Sequence, residues 1–123
     1  MKIDRQAVYQ KYDGHCAYCG KEIEYKEMQV DHLHPKARWY GAGDVDSFEN
    51  LLPSCRRCNH YKRVYILEEF RRMMFTLHER VSAQYITKVA IDYGIVEIKP
   101  FDGLFYFERP RAGEVCRIRE GMK

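Results

Sequence analysis

The 123-residue chain lacks any long apolar run, any internal repeat and any Pro- or Ser-rich linker. No stretch approaches the roughly 20 apolar residues that a membrane span needs, and the N-terminus has no signal-peptide apolar segment. We therefore expect a cytoplasmic protein without a membrane partner. Because nothing in the composition divides the chain, the sequence predicts a single domain over residues 1–123.

A large excess of charge of either sign is also lacking. The 21 Lys and Arg residues nearly balance 18 Asp and Glu residues, and the net charge is +3. Global electrostatics therefore barely favours nucleic acid. The basic residues are nevertheless clustered around the last cysteine pair, where four of them lie close together in sequence: Arg56, Arg57, Lys62 and Arg63. Such a cluster is either a solvated surface or a phosphate-binding patch, and its place beside a candidate metal site favours the second interpretation.

Cysteine occurs five times, and four of the five form two pairs with identical spacing. Cys16-x-x-Cys19 and Cys55-x-x-Cys58 have the spacing that lets both thiolates of a pair reach one tetrahedral ion. In a reducing compartment such pairs indicate metal ligands rather than disulfides, and a redox dithiol is disfavoured because the surrounding βαβ pattern is missing. The sequence predicts a saturated structural zinc site. Cys116 has no partner and is predicted to be a free thiol.

Capping residues and apolar spacing predict an α+β fold. We expect a short helix over residues 5–12 with Asp4 as its N-cap, followed by strands over 28–33 and 50–53. Ser54 is predicted to cap a helix that carries the second cysteine pair. The two strands and this helix form a β-β-α unit.

The C-terminal half is predicted to be a helical and hairpin extension over residues 66–123. Apolar residues at spacings of three and four predict an amphipathic helix over 66–81, and a further helix is predicted over 83–93. Residues 94–99 and 104–108 flank a Pro-Phe-Asp-Gly turn and are predicted to form a β-hairpin.

An Asp-His-Leu-His-Pro segment lies between the two cysteine pairs, and Asn59 follows the second pair directly. A neutral imidazole such as that of His32 accepts a proton from water near neutral pH. Carboxylate and amide oxygens, as in Asp31 and Asn59, suit Mg²⁺ or a related cation, which polarises a phosphate and stabilises a leaving oxygen. Together with Asn50, these residues predict metal-assisted phosphodiester hydrolysis.

Other residues near this segment leave alternatives open. His34 lies one strand step beyond His32, although a structural or surface role is favoured for it. His60 replaces Asn59 as a ligand if the helix starts at a different residue. The intervening loop contains three acidic residues that either solvate the loop or approach the cation: Asp44, Asp46 and Glu49.

Four motifs follow one another along the chain: Cys16-x-x-Cys19, Asp31-His32-x-x-Pro35, Asn50-Leu51-Leu52 and Cys55-x-x-Cys58-Asn59-x-x-Lys62. In the order and spacing of these motifs, the chain resembles the zinc-containing HNH endonucleases with the ββα-metal fold. The resemblance covers about residues 14–65. It implies that His32 is the general base and that Asp31 and Asn59 bind the catalytic Mg²⁺ or Mn²⁺. It further implies that Asn50 braces the loop and orients His32, and that Lys62 meets a phosphate.

These features predict a metal-dependent HNH endonuclease that hydrolyses DNA, which we expect to be double-stranded, and that acts as a monomer or homodimer. The alternative is a non-catalytic, zinc-stabilised nucleic-acid-binding or adaptor module. A binding module has no need for Asp31, His32, Asn50 and Asn59 together, so the enzyme is the favoured interpretation. Many members of the family have His where this chain has Asn59, and Asn is a known variant of the pattern.

Overall fold

The computed structural model describes residues 3–41 and 43–110, which contain two strands and five α-helices. In chain order they are α1 (Arg5–Gln10), β1 (Gln29–His32), β2 (Leu51–Ser54), α2 (Arg56–Lys62), α3 (Leu67–Phe75), α4 (Leu77–Ser82) and α5 (Tyr85–Asp92). Short 3-10 turns occur at Tyr25–Glu27, Lys36–Arg38, Phe48–Asn50 and Tyr106–Glu108. The predicted α+β class is confirmed. Cys116, predicted to be a free thiol, lies outside the described residues.

The predicted β-β-α unit is confirmed. β1 and β2 pair antiparallel, with Asp31 opposite Leu52 and His32 opposite Leu51. The helix α2 follows β2 after one residue and lies against β1. This arrangement places the end of β1 beside the helix that carries the second cysteine pair.

The residue that caps α2 differs from the prediction. Ser54 is the last residue of β2 and is fully buried, and its hydroxyl donates to the Cys55 carbonyl. The N-cap is Cys55, whose Sγ accepts a hydrogen bond from the backbone N–H of Cys58 at 3.3 Å. Ser54 cannot serve as the cap because the strand continues through it and turns its side chain into the interior.

The core consists of two clusters on the two faces of β2. Adjacent strand residues point to opposite faces, so Leu51 packs with Val8 and Met28 while Leu52 packs with Tyr18 and others. The larger cluster consists of Cys16, Ala17, Tyr18, Leu52, Cys55, Phe70 and Phe105. Because two metal-site cysteines belong to this cluster, the metal site is part of the core.

Two of the three helices predicted outside the β-β-α unit are confirmed in their outline. In α1 the side chain of Asp4 accepts from the backbone N–H of Ala7 at 3.1 Å, as its predicted capping role requires. The helix predicted over 83–93 is α5. The helix predicted over 66–81 is instead two helices, α3 and α4, that meet at Thr76. The Thr76 hydroxyl donates to the Met73 carbonyl at 3.0 Å, and such backbone bonding by Thr bends helices.

The predicted C-terminal hairpin is wrong. Among the described residues, the segments 94–99 and 104–108 contain no strand. The backbone N–H groups of Tyr106 and Phe107 donate to the carbonyls of Tyr18 and Ala17, at 3.0 and 2.8 Å. The alternating aromatic residues that suggested a strand cover the core, so this segment's backbone pairs with the first cysteine loop rather than with itself.

Among the described residues, no helix combines the length and the apolar character that a membrane span needs.

Candidate functional site

The four paired cysteines lie together. The Sγ atoms of Cys16, Cys19, Cys55 and Cys58 are all within 4.8 Å of one another, and none of the four forms a disulfide. A tetrahedral ion with metal–sulfur bonds of about 2.3 Å separates its sulfur ligands by about 3.8 Å, which lies within this limit. The donor set and the spacing therefore fit a four-coordinate metal site.

Hydrogen bonding within the cluster favours the thiolate form of one cysteine. The hydrogen bond between Cys16 and Cys58 lowers the pKa of Cys16 to about 4. The same bond, together with burial, raises the pKa of Cys58. Cysteine binds metal as thiolate, so a metal ion that binds here displaces the thiol protons.

The first cysteine loop depends on a glycine. Gly20 has φ +84°, and its N–H donates to the carbonyl of Cys16 at 2.9 Å. A Cβ at this position lies only 2.6 Å from Cδ1 of Tyr106. The loop is joined to β2 by the N–H of Ala17, which donates to the carbonyl of Pro53 at 2.8 Å. These bonds place the first pair of cysteines against the strand that leads to the second pair.

His32, at the end of β1, contacts an acidic residue of the loop. Its Nε2 lies 2.6 Å from Oδ1 of Asp46, and the two side chains are only 16% and 21% exposed. The hydrogen bond with His32 lowers the pKa of Asp46, so this carboxylate is ionised near neutral pH. An ionised carboxylate only accepts hydrogen bonds, so Nε2 carries the proton and Nδ1 is the basic nitrogen of a neutral His32.

Asn50 connects two parts of the loop next to His32. Its Oδ1 accepts from the backbone N–H of His34 at 2.9 Å. Its Nδ2 donates to the carbonyls of His34 and Val45, at 3.1 and 2.8 Å. His34 follows His32 by two residues, and Val45 directly precedes Asp46. The buried amide of Asn50 therefore fixes the backbone next to both members of the His32–Asp46 pair.

Asp31 points into the interior beside Lys62. Both Tyr18 and Lys62 donate to Oδ2 of Asp31, Lys62 at 3.2 Å. Burial raises the pKa of Asp31, and the positive charge of Lys62 opposes that effect. Lys62 is completely buried and also donates to the carbonyl of His32 at 3.1 Å. The phosphate contact predicted for Lys62 is therefore corrected, because its ammonium group neutralises Asp31 inside the protein.

The remaining predicted residues lie on α2 or directly after it. Asn59 is half-buried, and its side chain has no hydrogen-bond partner among the described residues. It lies three residues before Lys62, and residues at that spacing share one side of a helix. Asn59 is therefore on the side of α2 that meets β1 through Lys62. Arg56, Arg57 and Arg63 are all exposed.

The charge around the exposed arginines is mixed. Arg56 and Arg57 border an open cleft together with His60. The cleft is also lined by charged residues of both signs from the first cysteine loop and beyond: Lys21, Glu22, Glu24, Lys26 and Glu27. The predicted basic patch is thus reduced to three arginines, two of which have carboxylates nearby.

Two of the alternatives raised by the sequence are answered by these contacts. His34 bonds through Nε2 to the Arg38 carbonyl at 2.7 Å and packs edge-on against Trp39, which is a structural role. Of the three loop acids, Asp46 is the one that reaches His32. The hydroxyl of Tyr18 on Asp31 is a contact that sequence reasoning missed.

Comparisons with known proteins agree with the resemblance. The family described as HNH endonuclease matches residues 16–63. A CRISPR-associated endonuclease Cas9 of Corynebacterium diphtheriae is 40% identical over 53 residues, which are 43% of this chain and 5% of that protein. A Cas9 of Actinomyces naeslundii is 43% identical over 47 residues, 38% of this chain and 4% of that protein.

The solved structures include a similar chain, in the crystal structure of the Type II-C Cas9 enzyme from Actinomyces naeslundii. The similarity covers 55% of this chain and 7% of that one, with 29% identity and a TM-score of 0.48. The matches to the two curated Cas9 proteins extend over only 4–5% of their length. The family match contains both cysteine pairs and all the predicted catalytic residues, so residues 16–63 are an HNH endonuclease domain.

Proposed function

We propose that this protein is a metal-dependent endonuclease that hydrolyses phosphodiester bonds in double-stranded DNA, with His32 as the general base. The observation that carries the proposal is the hydrogen bond between His32 and Asp46 within an HNH endonuclease domain. A histidine held by an ionised carboxylate has a fixed ring orientation and one basic nitrogen, as proton abstraction from water requires.

In the proposed reaction Nδ1 of His32 takes a proton from the attacking water. Asp46 keeps the ring in the required tautomer and stabilises the positive charge that His32 acquires. Asn50 holds the loop segments on both sides of this pair. The role of the protein chain is therefore to orient one imidazole and to exclude alternative orientations of its ring.

Asp31 and Asn59 are the residues proposed to bind Mg²⁺ or Mn²⁺. Both offer oxygen ligands, which these cations prefer. The hydrogen bonds from Tyr18 and Lys62 both end at Oδ2 of Asp31, which leaves Oδ1 for a cation. When bound, the cation supplies positive charge at the scissile phosphate and the leaving oxygen.

Zinc is the ion proposed for the four-cysteine site, with a structural role. Four sulfur ligands complete a tetrahedral zinc ion and leave no position for water or substrate. The four thiols, which form no disulfide, suit a reducing compartment such as the cytoplasm. The exposed residues Arg56, Arg57 and Arg63 are proposed to contact DNA phosphates.

The test is conversion of supercoiled plasmid to nicked and linear DNA, with Mg²⁺ or Mn²⁺ and with a chelator. We expect cation-dependent cleavage by the wild-type protein and its loss in His32→Ala. His60→Ala is the matched control, since His60 is an exposed histidine of α2, and we expect it to retain cleavage.

Two outcomes contradict the proposal. Cleavage by His32→Ala at the wild-type rate would remove the proposed base. Failure of folded, zinc-loaded wild-type protein to cut plasmid with either cation, while it still binds DNA, would favour the non-catalytic binding module.

A further inference from the structure

The helix α5 and the segment after it expose large apolar side chains. Within the described part of the chain, no side chain of α5 is buried. The apolar residues concerned, with their exposed fractions, are Tyr85 (83%), Ile86 (75%), Val89 (39%), Tyr93 (79%), Ile95 (74%) and Val96 (39%). We call these six residues the α5 face; Ile91, which is also 39% exposed, lies on the opposite side of the helix. Isolated exposed apolar residues are ordinary, whereas a run of six within twelve positions is a surface that needs explanation.

The residues of the face that lie in α5, together with its C-cap residue Tyr93, form one stripe. At 100° per residue, Tyr85, Ile86, Val89 and Tyr93 fall within a sector of about 100°. Together with Ile95 and Val96, which follow the helix, they expose several hundred Å² of residue surface. The largest apolar patch of a typical monomer is roughly 300–600 Å², and each partner of a standard interface contributes roughly 800 Å².

The charged residues beside the stripe can pair with the same residues of a second copy of the chain. Lys88 and Asp92 lie on the same edge of the α5 face, four residues apart, and are related by symmetry about Ala90. When two such helices cross antiparallel near Ala90, the same edges of both helices meet. Lys88 of each copy then lies opposite Asp92 of the other copy. A two-fold axis therefore pairs opposite charges twice and like charges nowhere along this edge.

We propose that the α5 face is a homodimer interface, in which α5 of one copy packs antiparallel on α5 of a second copy. The apolar stripe supplies the buried area, and the Lys88–Asp92 pairs fix the direction of packing. The inference does not depend on the proposed nuclease activity, because the oligomeric state is measured without DNA or a catalytic cation.

The first experiment is sedimentation or light scattering of zinc-loaded protein from about 1 to 100 µM, a range that covers affinities of ordinary homodimers. We expect a species of twice the 14.8-kDa chain mass. Ile86→Glu should weaken association roughly thirtyfold or more, since it places a charge within the buried stripe. Val64→Glu is the matched control, because Val64 is 55% exposed but lies outside the α5 face.

The second experiment tests the direction of packing by exchanging charges. Lys88→Glu and Asp92→Lys should each weaken the dimer severalfold, and the double variant should regain the wild-type association. Circular dichroism of each variant checks that the helices remain folded.

Three results would overturn the proposal. Wild-type protein that stays monomeric at the highest concentration has no such interface, and the stripe is then covered by a different partner. A dimer that Ile86→Glu leaves intact uses another surface. A double charge variant that dimerises more weakly than both single variants contradicts the antiparallel arrangement.

Discussion

At the scale of single residues, burial decides what a charged side chain does. Lys62 is in the sequence motif of the family but has no exposed surface, and its ammonium group donates to Asp31 and to the carbonyl of His32. The sequence predicted its place on α2, four residues after Cys58. It did not predict the inward orientation, because that depends on how α2 crosses β1.

Replacing Lys62 with Met is expected to destabilise the protein by about 3–5 kcal/mol, because it leaves the Asp31 carboxylate buried without its positive partner. The measurement is denaturant unfolding of zinc-loaded protein. Arg57→Met is the matched control on the same helix, and its exposed side chain should change stability by less than about 0.5 kcal/mol. Equal effects of the two substitutions would contradict the buried ion pair.

The role of Asp46 also depends on a single side chain, and it rests on the proposed function. Asp46→Asn is expected to lower the cleavage rate at least roughly tenfold without changing the fold, because an amide N–H directed at Nε2 moves the proton of His32 to Nδ1. Glu49→Gln, a neighbouring exposed acid of the loop, should cleave as the wild type does. The comparison is made from the pH dependence of the rate together with circular dichroism.

The contact between His32 and Asp46 could not be predicted from spacing. The two residues are 14 positions apart in the chain, and no helical or strand period relates them. The cysteines were predictable because the geometry of a tetrahedral ion restricts the spacing within each pair. A loop contact has no such restriction, so three acids were equally eligible until the path of the loop was known.

At the scale of elements, the helical periodicity of α5 was predicted correctly, whereas the strand pairing predicted for residues 94–108 was not found. The residues of α5 follow a helical spacing, and the helix formed where it was expected. The aromatic residues near Phe105 alternate as a strand does. They instead pack on Phe70, with the Phe70 and Phe105 ring centroids 5.1 Å apart. The alternation of aromatic residues indicates which side chains are buried in the core. A strand also needs a second strand to hydrogen-bond with its backbone.

Gly20 supplies a test of one element, the first cysteine loop. Gly20→Ala should destabilise zinc-loaded protein by roughly 1–3 kcal/mol more than Gly94→Ala. Both glycines have positive φ, +84° and +73°, so strain in the backbone is common to the two variants. Only at position 20 does the added Cβ meet Tyr106, while position 94 is open within 4 Å. Thermal unfolding measures both, and an equal loss would contradict the close contact.

At the scale of the whole molecule, the HNH domain shares its core with the extension. Tyr18, in the first cysteine loop, packs edge-on against Phe70 and Phe105, with ring centroids 5.6 Å apart in both cases. Residues 66–123 had no motif, so the sequence predicted an appended segment rather than a part of this core. The α+β class and the β-β-α unit were predictable because local spacing and capping specify them.

A chain shortened to residues 1–65 is therefore expected not to fold cooperatively, even with zinc, because removal of Phe70 and Phe105 exposes the larger cluster. A chain of residues 1–110 keeps every described contact and serves as the control. Zinc titration followed by circular dichroism and thermal unfolding distinguishes them. A sharp unfolding transition in the shorter chain would show that the HNH domain is independent of the extension.

The hydroxyl of Tyr18 joins two sites that sequence motifs treat as separate. Tyr18 lies between Cys16 and Cys19, and it donates to the carboxylate of Asp31. Burial and the charge of Asp31 raise the pKa of Tyr18, so the phenol keeps the proton that it donates. The phenol thus connects the loop of the sulfur cluster to the carboxylate. We therefore expect a reagent that distorts the sulfur cluster, whether an oxidant or a stronger chelator, to shift the Asp31 carboxylate as well.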